Sequence, residues 1–369
     1  MKSILALTCL LVLASVPAFG QSACYVCHAN HGDIWQGSRD FHEGGVGHCS
    51  LCHVMHNSQD GDGVNEDTPS GSEWLLIRSS VNDLCLTCHA GMYGNVFGQD
   101  VMNPPNEAGG GNFVFLLEDN LNDGHGGAAN PVPGRAAGHN IASPAMGVSA
   151  DDVLQTSPGG TFRSEDLTCT SCHDPHGNGN FRMLNGLGDI QDGLFTFDFP
   201  APDAAGLSIY HGHEGPTRHT AYRSGMSLWC GNCHLDIHGN GDVFQHPIDV
   251  PLGIDIAARY NGYNGTTDID GGSSSTAYIP QVPFEDPDAA IHSQEGPTST
   301  SVVMCMTCHR AHASSSMDAG RWDFNVTRLV DDGMESESYP LPSPYPDGAQ
   351  RSLCNKCHGK DEFDDLALK

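Results

Sequence analysis

The sequence is poor in cations. Lys and Arg number 16 against 45 Asp and Glu, and the formal net charge is −29. A chain this acidic is not expected to bind nucleic acid or anionic membrane surfaces, which are also negatively charged. Apolar residues are scarce as well, at 38%, while there are 45 Gly and 22 Pro. The composition therefore predicts a small side-chain core and few regular elements.

Long hydrophobic runs are absent after the first twenty residues. Residues 1–20 hold a single charge, Lys2, an apolar run over 4–16, and the small-x-small sequence Ala18-Phe19-Gly20. This pattern is typical of a secretion signal, and the run is too short to span a bilayer. We expect a mature chain from residue 21 that is secreted to the extracellular space or outer cell surface, with the periplasm as the alternative.

No cysteine is left over for a disulfide. Of 15 Cys, Cys9 lies in the predicted signal, and the others form seven copies of Cys-x-x-Cys-His. The cysteine pairs are Cys24 and Cys27, Cys49 and Cys52, Cys85 and Cys88, Cys169 and Cys172, Cys230 and Cys233, Cys305 and Cys308, and Cys354 and Cys357. The histidines that follow them are His28, His53, His89, His173, His234, His309 and His358.

This motif is the attachment site of c-type haem. Its two thiols bond the porphyrin vinyl groups, and its histidine meets the iron from one face. The alternatives are a disulfide framework or zinc sites made of paired Cys-x-x-Cys, and neither requires a histidine after every pair. The sequence therefore predicts seven covalently attached haem c groups.

The motifs are arranged as one N-terminal copy followed by three pairs. The first motif of each pair, here called the opening motif, begins at Cys49, Cys169 or Cys305, and the second, the closing motif, begins at Cys85, Cys230 or Cys354. Each opening motif continues as Cys-x-x-Cys-His-x-x-His, which indicates a repeated two-haem unit. Residues 99–160 and 247–300 show no sustained helical or strand period, so we expect loops anchored on haem faces.

The second axial ligand of each iron decides what a haem can do. A strong ligand restricts the haem to electron transfer, whereas an open position supports catalysis. Fourteen of the 21 His lie outside the motifs, twice the number needed. We therefore predict bis-His ligation. The candidates are His42, His56, His139, His176, His246 and His312 for the paired motifs and His31 for the N-terminal haem, with His48, His125, His238 and His292 as substitutes.

Four of these candidates, His31, His56, His176 and His312, lie three residues beyond a motif histidine. A side chain so close in sequence does not reach the opposite face of the same iron, but it can reach the iron of a haem stacked alongside. Methionine is an alternative ligand, and we expect Met55, Met92, Met183 and Met306 to pack against porphyrin instead.

From residue 41 to about residue 361, the sequence resembles the OmcS-type outer-surface cytochromes of metal-respiring bacteria. The strings that carry the resemblance, in order, are FHEGGV, CSLCHVMHNS, GHNI, CTSCHDPHG, LWCGNCHLDIH, HP at 246–247, CMTCHRAHAS and LCNKCH. The resemblance implies a multihaem cytochrome c fold, mostly irregular coil with short helices and little β-structure around a chain of stacked haems. It also implies that His56 ligates a haem of the neighbouring protomer in a filament.

The chain departs from this family at its start, where residues 21–40 add a haem segment before the six-haem region of 41–361 and the tail of 362–369. We treat 21–369 as a single haem-ordered unit. The predicted function is extracellular long-range electron transfer by a heptahaem homopolymer, with other cytochromes, metal oxides or cells as redox partners. The alternatives are a monomeric electron shuttle and a multihaem reductase with one open haem. No motif histidine is replaced by Lys, as it is in some multihaem enzymes, so we predict no catalytic residue.

Overall fold

In a computed structural model of the 369-residue chain, most of the sequence from residue 49 onward is described. The described residues are 49, 52–54, 58–59, 62–63, 71–91, 96–101, 104, 109–118, 132–206, 214–238, 246–333 and 338–360. The N-terminal motif, the predicted signal and the tail lie outside them.

The α-helices are short, and most of them carry a haem motif. They are α1 (Val81–His89), α2 (Met226–His234), α3 (Gly253–Gly262), α4 (Cys305–Cys308) and α5 (Asn355–His358). Ser80 begins α1, because its hydroxyl accepts a hydrogen bond from the Asp83 backbone N–H at 3.1 Å and so satisfies a free donor of the first turn. Single 3₁₀ turns are found at Glu73–Leu75, Phe113–Leu117, Gly134–Ala136, Pro144–Met146, Ser164–Asp166, Cys169–Ser171, Phe181–Met183, Leu235–His238, Ser274–Thr276, Met317–Ala319 and Leu329–Asp331.

Strands are few and form only antiparallel two-stranded ribbons within the described residues. The pairs are β1 (Ser58–Gln59) with β2 (Asp62–Gly63), β3 (Ile190–Gln191) with β4 (Phe195–Thr196), and β5 (Asp203–Ala205) with β6 (Ala221–Ser224). The predicted fold class, irregular coil with short helices and little β-structure, is confirmed. One element was not predicted: α3 lies inside 247–300, where Tyr260 on its buried face packs into the core.

Buried apolar side chains form three separate clusters instead of one core. The largest contains Tyr260, Tyr263, Ala277, Tyr278, Ile279, Val282, Phe284, Trp322, Leu329, Leu341, Tyr345 and Leu353. The second contains Leu86, Phe97, Val101, Phe113, Val114, Phe115, Leu116, Ala137, Ile141, Val148 and Ala313, and the third Tyr222, Met226, Met304 and Met306. Motif cysteines pack against the first two clusters, at Cys308, Cys354 and Cys357 and at Cys169. The side-chain clusters therefore position the motifs.

None of the helices among the described residues combines the length and apolarity that a membrane crossing requires.

Candidate haem-binding site

Each described motif is held on one helical turn. The backbone N–H of the motif histidine donates to the carbonyl of the first cysteine, at 2.8 Å in His53, 3.0 Å in His173 and 3.0 Å in His309. His358 repeats the bond to Cys354 at 3.1 Å, and α1 and α2 contain their motifs whole. One closed turn brings two thiols and an imidazole to the same side of the backbone, as haem attachment requires.

The motif imidazoles are oriented by backbone carbonyls. Nδ1 lies 2.8 Å from the Trp74 carbonyl oxygen in His53, 2.9 Å from that of Arg182 in His173, and 2.8 Å from that of Asp318 in His309. His234 contacts the Pro158 oxygen at 2.8 Å. A carbonyl can only accept, so Nδ1 carries the proton and Nε2 presents its lone pair. This tautomer is the one that a ligand to iron through Nε2 needs.

The three opening motifs share one clamp, which the sequence analysis missed. A two-residue left-handed turn supplies the carbonyl: Trp74 and Leu75, Arg182 and Met183, or Asp318 and Ala319, all with φ between 52° and 59°. The second residue of each turn accepts from the residue after the motif histidine, as Asp174 N–H to Met183 at 2.8 Å. The second cysteine accepts from a residue beyond the turn, as Asn185 N–H to Cys172 at 2.9 Å.

The same pair of bonds recurs in the other two opening motifs. Val54 donates to Leu75 at 2.7 Å and Ile77 to Cys52 at 3.0 Å; Arg310 donates to Ala319 at 2.7 Å and Arg321 to Cys308 at 2.7 Å. Left-handed backbone costs a non-glycine residue about 1–2 kcal/mol. None of the six turn residues is Gly, Asn or the usual hairpin pair, so no turn signal in the sequence marks them. Strain of this kind is characteristic of functional sites.

Four motif histidines each face a second imidazole. The pairs, with the ring-centroid distance and the angle between ring planes, are His53 and His176 (6.3 Å, 8°), His173 and His312 (6.4 Å, 60°), His139 and His234 (5.9 Å, 52°), and His246 and His358 (6.1 Å, 69°). Every pair joins a motif histidine to a histidine predicted as a second axial ligand. The structure therefore brings together His139, His176, His246 and His312 with partners that lie far from them in sequence.

These separations suit an iron between the rings. A metal–nitrogen bond is about 2.0–2.1 Å, and an imidazole centroid lies about 1.1 Å behind its nitrogen, so two rings on opposite sides of one metal have centroids about 6.2 Å apart. Direct ring stacking would be closer, as for His219 on Tyr278 at 3.7 Å. The donor set and its spacing thus fit bis-His haem.

Burial favours the neutral form of four of the facing imidazoles. Burial, and after it the nearby His173, lower the pKa of His312 to about 3. Burial followed by the charge of His234 lowers the pKa of His139, and burial lowers that of His234 and His358. Neutral imidazole is the form that ligates metal.

Closing motifs dock on the opening motif of the next pair. The Cys85 thiol lies within hydrogen-bond reach of Cys169, and the Cys230 thiol of Cys305. In each case the side chain three residues before the closing motif also accepts a hydrogen bond from the first cysteine of the opening motif. Asn82 Oδ1 accepts from the Cys169 N–H at 2.8 Å, and Ser227 Oγ accepts from the Cys305 N–H at 3.1 Å. In a haem-bound chain these sulfurs are thioethers, so the contacts join successive attachment points.

Several predicted ligands lie outside the described residues. They are His28 with Cys24 and Cys27, and the histidines His31, His42, His48, His56 and His125. His89 and its cysteines, Cys85 and Cys88, are described at the end of α1. His238 lies in the turn Leu235–His238.

One described histidine is used otherwise than as a ligand. Both nitrogens of His219 contact backbone carbonyl oxygens, of Thr220 at 2.9 Å and Ser293 at 2.8 Å, so neither is presented to an iron. His292, a substitute candidate, contacts the Thr217 oxygen at 3.0 Å through Nδ1, as the motif histidines contact their carbonyls, and it stays a prediction. Among the methionines, Met306 is buried in the third cluster, and its contact with porphyrin also stays a prediction.

Comparison with known proteins places the chain beside one cytochrome. It is 30% identical over 414 residues to "C-type cytochrome OmcS" of Geobacter sulfurreducens, covering 87% of this chain and 94% of that protein. Two solved structures, "Outer Membrane Cytochrome S Filament" and "Cryo-EM of the OmcS nanowires" from the same organism, match with TM-scores of 0.72 and 0.70 at 30% and 29% identity. Each comparison covers 87% of this chain and 100% of the other. No protein-family model matches.

Proposed function

The chain belongs to the OmcS family of c-type cytochromes, and on that premise we propose that it conducts electrons outside the cell as a heptahaem homopolymer. Seven motifs supply seven covalent haem c groups. The chain would act at the outer cell surface or beyond it, as a carrier and not as an enzyme, passing electrons to other cytochromes, metal oxides or cells.

The main support for the proposal is the order along the chain in which the imidazoles are paired. An iron bound by His53, in the first opening motif, would take its second ligand from the second opening segment, at His176, whose ring faces that of His53. An iron bound by His173, in the second opening motif, would take His312 from the third. The first two opening haems would thus be completed by the histidine that lies three residues past the motif of the next unit along the chain.

His309, in the third opening motif, has no later opening motif in the same chain to supply its second ligand. Among the described residues, its ring contacts Phe324 edge-on, with the ring centroids 5.5 Å apart, and no imidazole lies opposite it. The next opening segment belongs to a neighbouring protomer, where the equivalent histidine is His56. We infer that His56 crosses the joint and completes the iron of His309, so that one coordination bond both closes the ligand set and links two subunits.

The closing motifs follow a second rule. His139 precedes the second pair and faces His234, which closes it; His246 precedes the third pair and faces His358. By the same rule His42, which precedes the first pair, would ligate the iron of His89. The N-terminal haem of Cys24, Cys27 and His28 would then take His48, the substitute candidate, because His31 lies only three residues past His28 and does not reach the opposite face of the same iron. With His48 so used, every iron has two histidines.

Electron micrographs of the purified holoprotein test the proposal. The wild-type chain should form rods with a regular subunit repeat, and His56→Ala should lower rod formation at least tenfold, because the bond across the joint is lost. His31→Ala is the matched control, since it removes a histidine in the same local setting and should leave rods intact. Wild-type protein that remains monomeric would favour the shuttle. Rods lost in His31→Ala but kept in His56→Ala would assign the joint to the N-terminal segment.

A further inference from the structure

Lys356 places a buried positive charge between the two cysteines of the last motif. Its side chain is 1% exposed. The ammonium donates to the Tyr263 carbonyl oxygen at 3.0 Å and lies 4.5 Å from the ring centroid of Tyr260 and 5.5 Å from that of Tyr345. Ring faces attract a cation through their quadrupole, and more strongly away from water. Three tyrosines therefore form a cage around one ammonium.

The position of this charge is specific to one motif. Fourteen residues stand between paired cysteines in the seven motifs, and Lys356 is the single charged one. In the other two closing motifs the equivalent pairs are Leu86-Thr87 and Gly231-Asn232. Across the described parts of the chain, no ion pair joins Lys356 to a carboxylate. The ammonium is compensated by a carbonyl and ring faces, and its net charge is not cancelled.

Packing alone does not require a cation here. Replacing a buried ion by an apolar side chain of similar size is often neutral or stabilising, because the ion must be taken out of water. A methionine would fill the same cage without that cost. An effect of the charge on its surroundings therefore accounts better for a lysine at this position, and the nearest redox group would be the haem bound by Cys354 and Cys357.

We propose that the caged ammonium of Lys356 raises the reduction potential of the haem at Cys354 and Cys357 above that of the other two closing haems. A fixed positive charge in a medium of low dielectric favours the iron state that carries one more electron. The step concerned is transfer of one electron from a neighbouring ferrous haem, which is oxidised, to the ferric haem at this motif, which is reduced. No bond or proton is involved.

This inference rests on the proposed function for the presence of haem at the last motif, but it does not need the filament. It makes the C-terminal motif the electron-accepting position among the closing haems of each protomer. Lys356 would act on this haem only through the positive charge of its ammonium group. Tyr260 and Tyr345 would hold the ammonium in place.

A spectroelectrochemical titration of the purified holoprotein tests it, with Lys356→Met as the main variant. One component, about one seventh of the haem absorbance, should move to lower potential by about 59 mV or more, which is a tenfold change in the ratio of reduced to oxidised haem. Lys356→Arg keeps the charge and should retain the wild-type potential. Lys360→Met removes an equal charge four residues away and is the matched control.

Superimposable titrations of the wild type and Lys356→Met would overturn the inference, as would an equal shift in Lys360→Met. Lys356→Gln is a second neutral variant and decides the matter if the Met variant does not fold, with mass spectrometry verifying seven attached haems in each protein. The potential is measured equally well on monomers. A shifted potential in protein that forms no rods would therefore refute the filament and support the effect of Lys356 on the potential. Rods without a shifted potential would support the filament and refute the effect of Lys356.

Discussion

At the scale of single residues, histidine chemistry in this chain is set by the backbone. Carbonyl oxygens fix the proton on Nδ1 of His53, His173, His234 and His309, and the Ala311 oxygen does the same for His139 at 2.7 Å. A carboxylate in the same place would add a charge to each haem site, and the chain avoids this.

Removing a second ligand should open one iron. We expect His312→Ala to leave the iron of His173 with a free position, because His312 is the imidazole that faces it. Carbon monoxide added to the reduced variant should change the spectrum of about one haem, and reduced wild-type protein should change little.

His292→Ala is the control for that experiment, since this exposed residue bonds the Thr217 oxygen and faces no motif histidine in the described part of the chain. An unchanged carbon monoxide response in His312→Ala would remove His312 from the ligand set.

Asp347 gives the fold a dependence on pH. Its carboxylate accepts from the backbone of Ala349 at 2.8 Å and of Thr267 at 3.1 Å, and these bonds hold its pKa below the ordinary value of 3.8. The ionised form is favoured by folding, so its contribution is present above the unfolded pKa and is lost as pH falls through the folded one. Asp347→Asn should cost about 0.5 kcal/mol at neutral pH, a small value because solvent screens the site.

Denaturant unfolding of wild type and Asp347→Asn at pH 7 and near pH 3 checks this expectation. The difference in unfolding free energy should be smaller at the acidic pH, where the carboxyl of the unfolded chain is mostly protonated. A difference of the same size at both pH values would show that the carboxylate charge has no part in it.

At the scale of elements, the repeated unit is a motif turn held by a left-handed turn. The clamp spans 21 residues from His53 to Trp74 but nine from His173 to Arg182 and from His309 to Asp318, and its hydrogen bonds are the same in all three. The first unit therefore carries an insertion between its motif histidine and its left-handed turn, and this insertion includes the ribbon of β1 and β2. The haem-holding bonds tolerate different loops because they connect only the two ends.

Glycine should relieve the strain in this turn. Ala319 has φ of +54°, a conformation that glycine adopts freely. After allowing for the greater freedom of glycine in the unfolded chain, we expect Ala319→Gly to stabilise the fold by about 0.5–1 kcal/mol.

Thermal unfolding of the holoprotein measures this effect. The control is Ala290→Gly, at an exposed position outside the left-handed region, where glycine should be neutral or destabilising. A lower unfolding temperature for Ala319→Gly would show that the turn is not strained.

At the scale of the whole molecule, three modest clusters are linked through haem motifs. No cluster joins all parts of the described chain, and Cys308, Cys354 and Cys357 of the last two motifs pack directly on the largest one. Covalent haem would add apolar area at roughly 25 cal/mol per Å² buried, which the 38% of apolar residues does not supply alone. We therefore expect the chain to fold only when haem is attached.

A chain produced without haem attachment should fail to fold cooperatively. Its far-UV circular dichroism should lack the signal of the short helices, and protease should digest it at least tenfold faster than the holoprotein, because the energy of cofactor binding is part of the folding energy. A cooperative unfolding transition in the haem-free chain would show that the three clusters suffice by themselves.

Much of the site could be predicted from the sequence because it depends on residues close together in the chain. Cys-x-x-Cys-His places two sulfurs and an imidazole on one turn, so the motif alone predicts the attachment residues. The surplus of histidines indicated bis-His ligation, and the string matches indicated the family. The left-handed turns could not be predicted, since Trp74 and Arg182 carry no turn signal. Helix α3 was missed because it has only ten residues, begins and ends at Gly, and lies in a stretch with no sustained helical period.

The sequence by itself determined the kind of cofactor, the seven candidate attachment motifs and the list of candidate histidines for the second axial positions, because covalent attachment depends on residues within one turn of each other. Only the tertiary structure decided which histidine faces which, as with His176 opposite His53 and His312 opposite His173. These partners lie more than a hundred residues apart, and their meeting depends on how clusters and motif turns pack together. The same packing buried Lys356 among tyrosines, which spacing along the chain could not reveal.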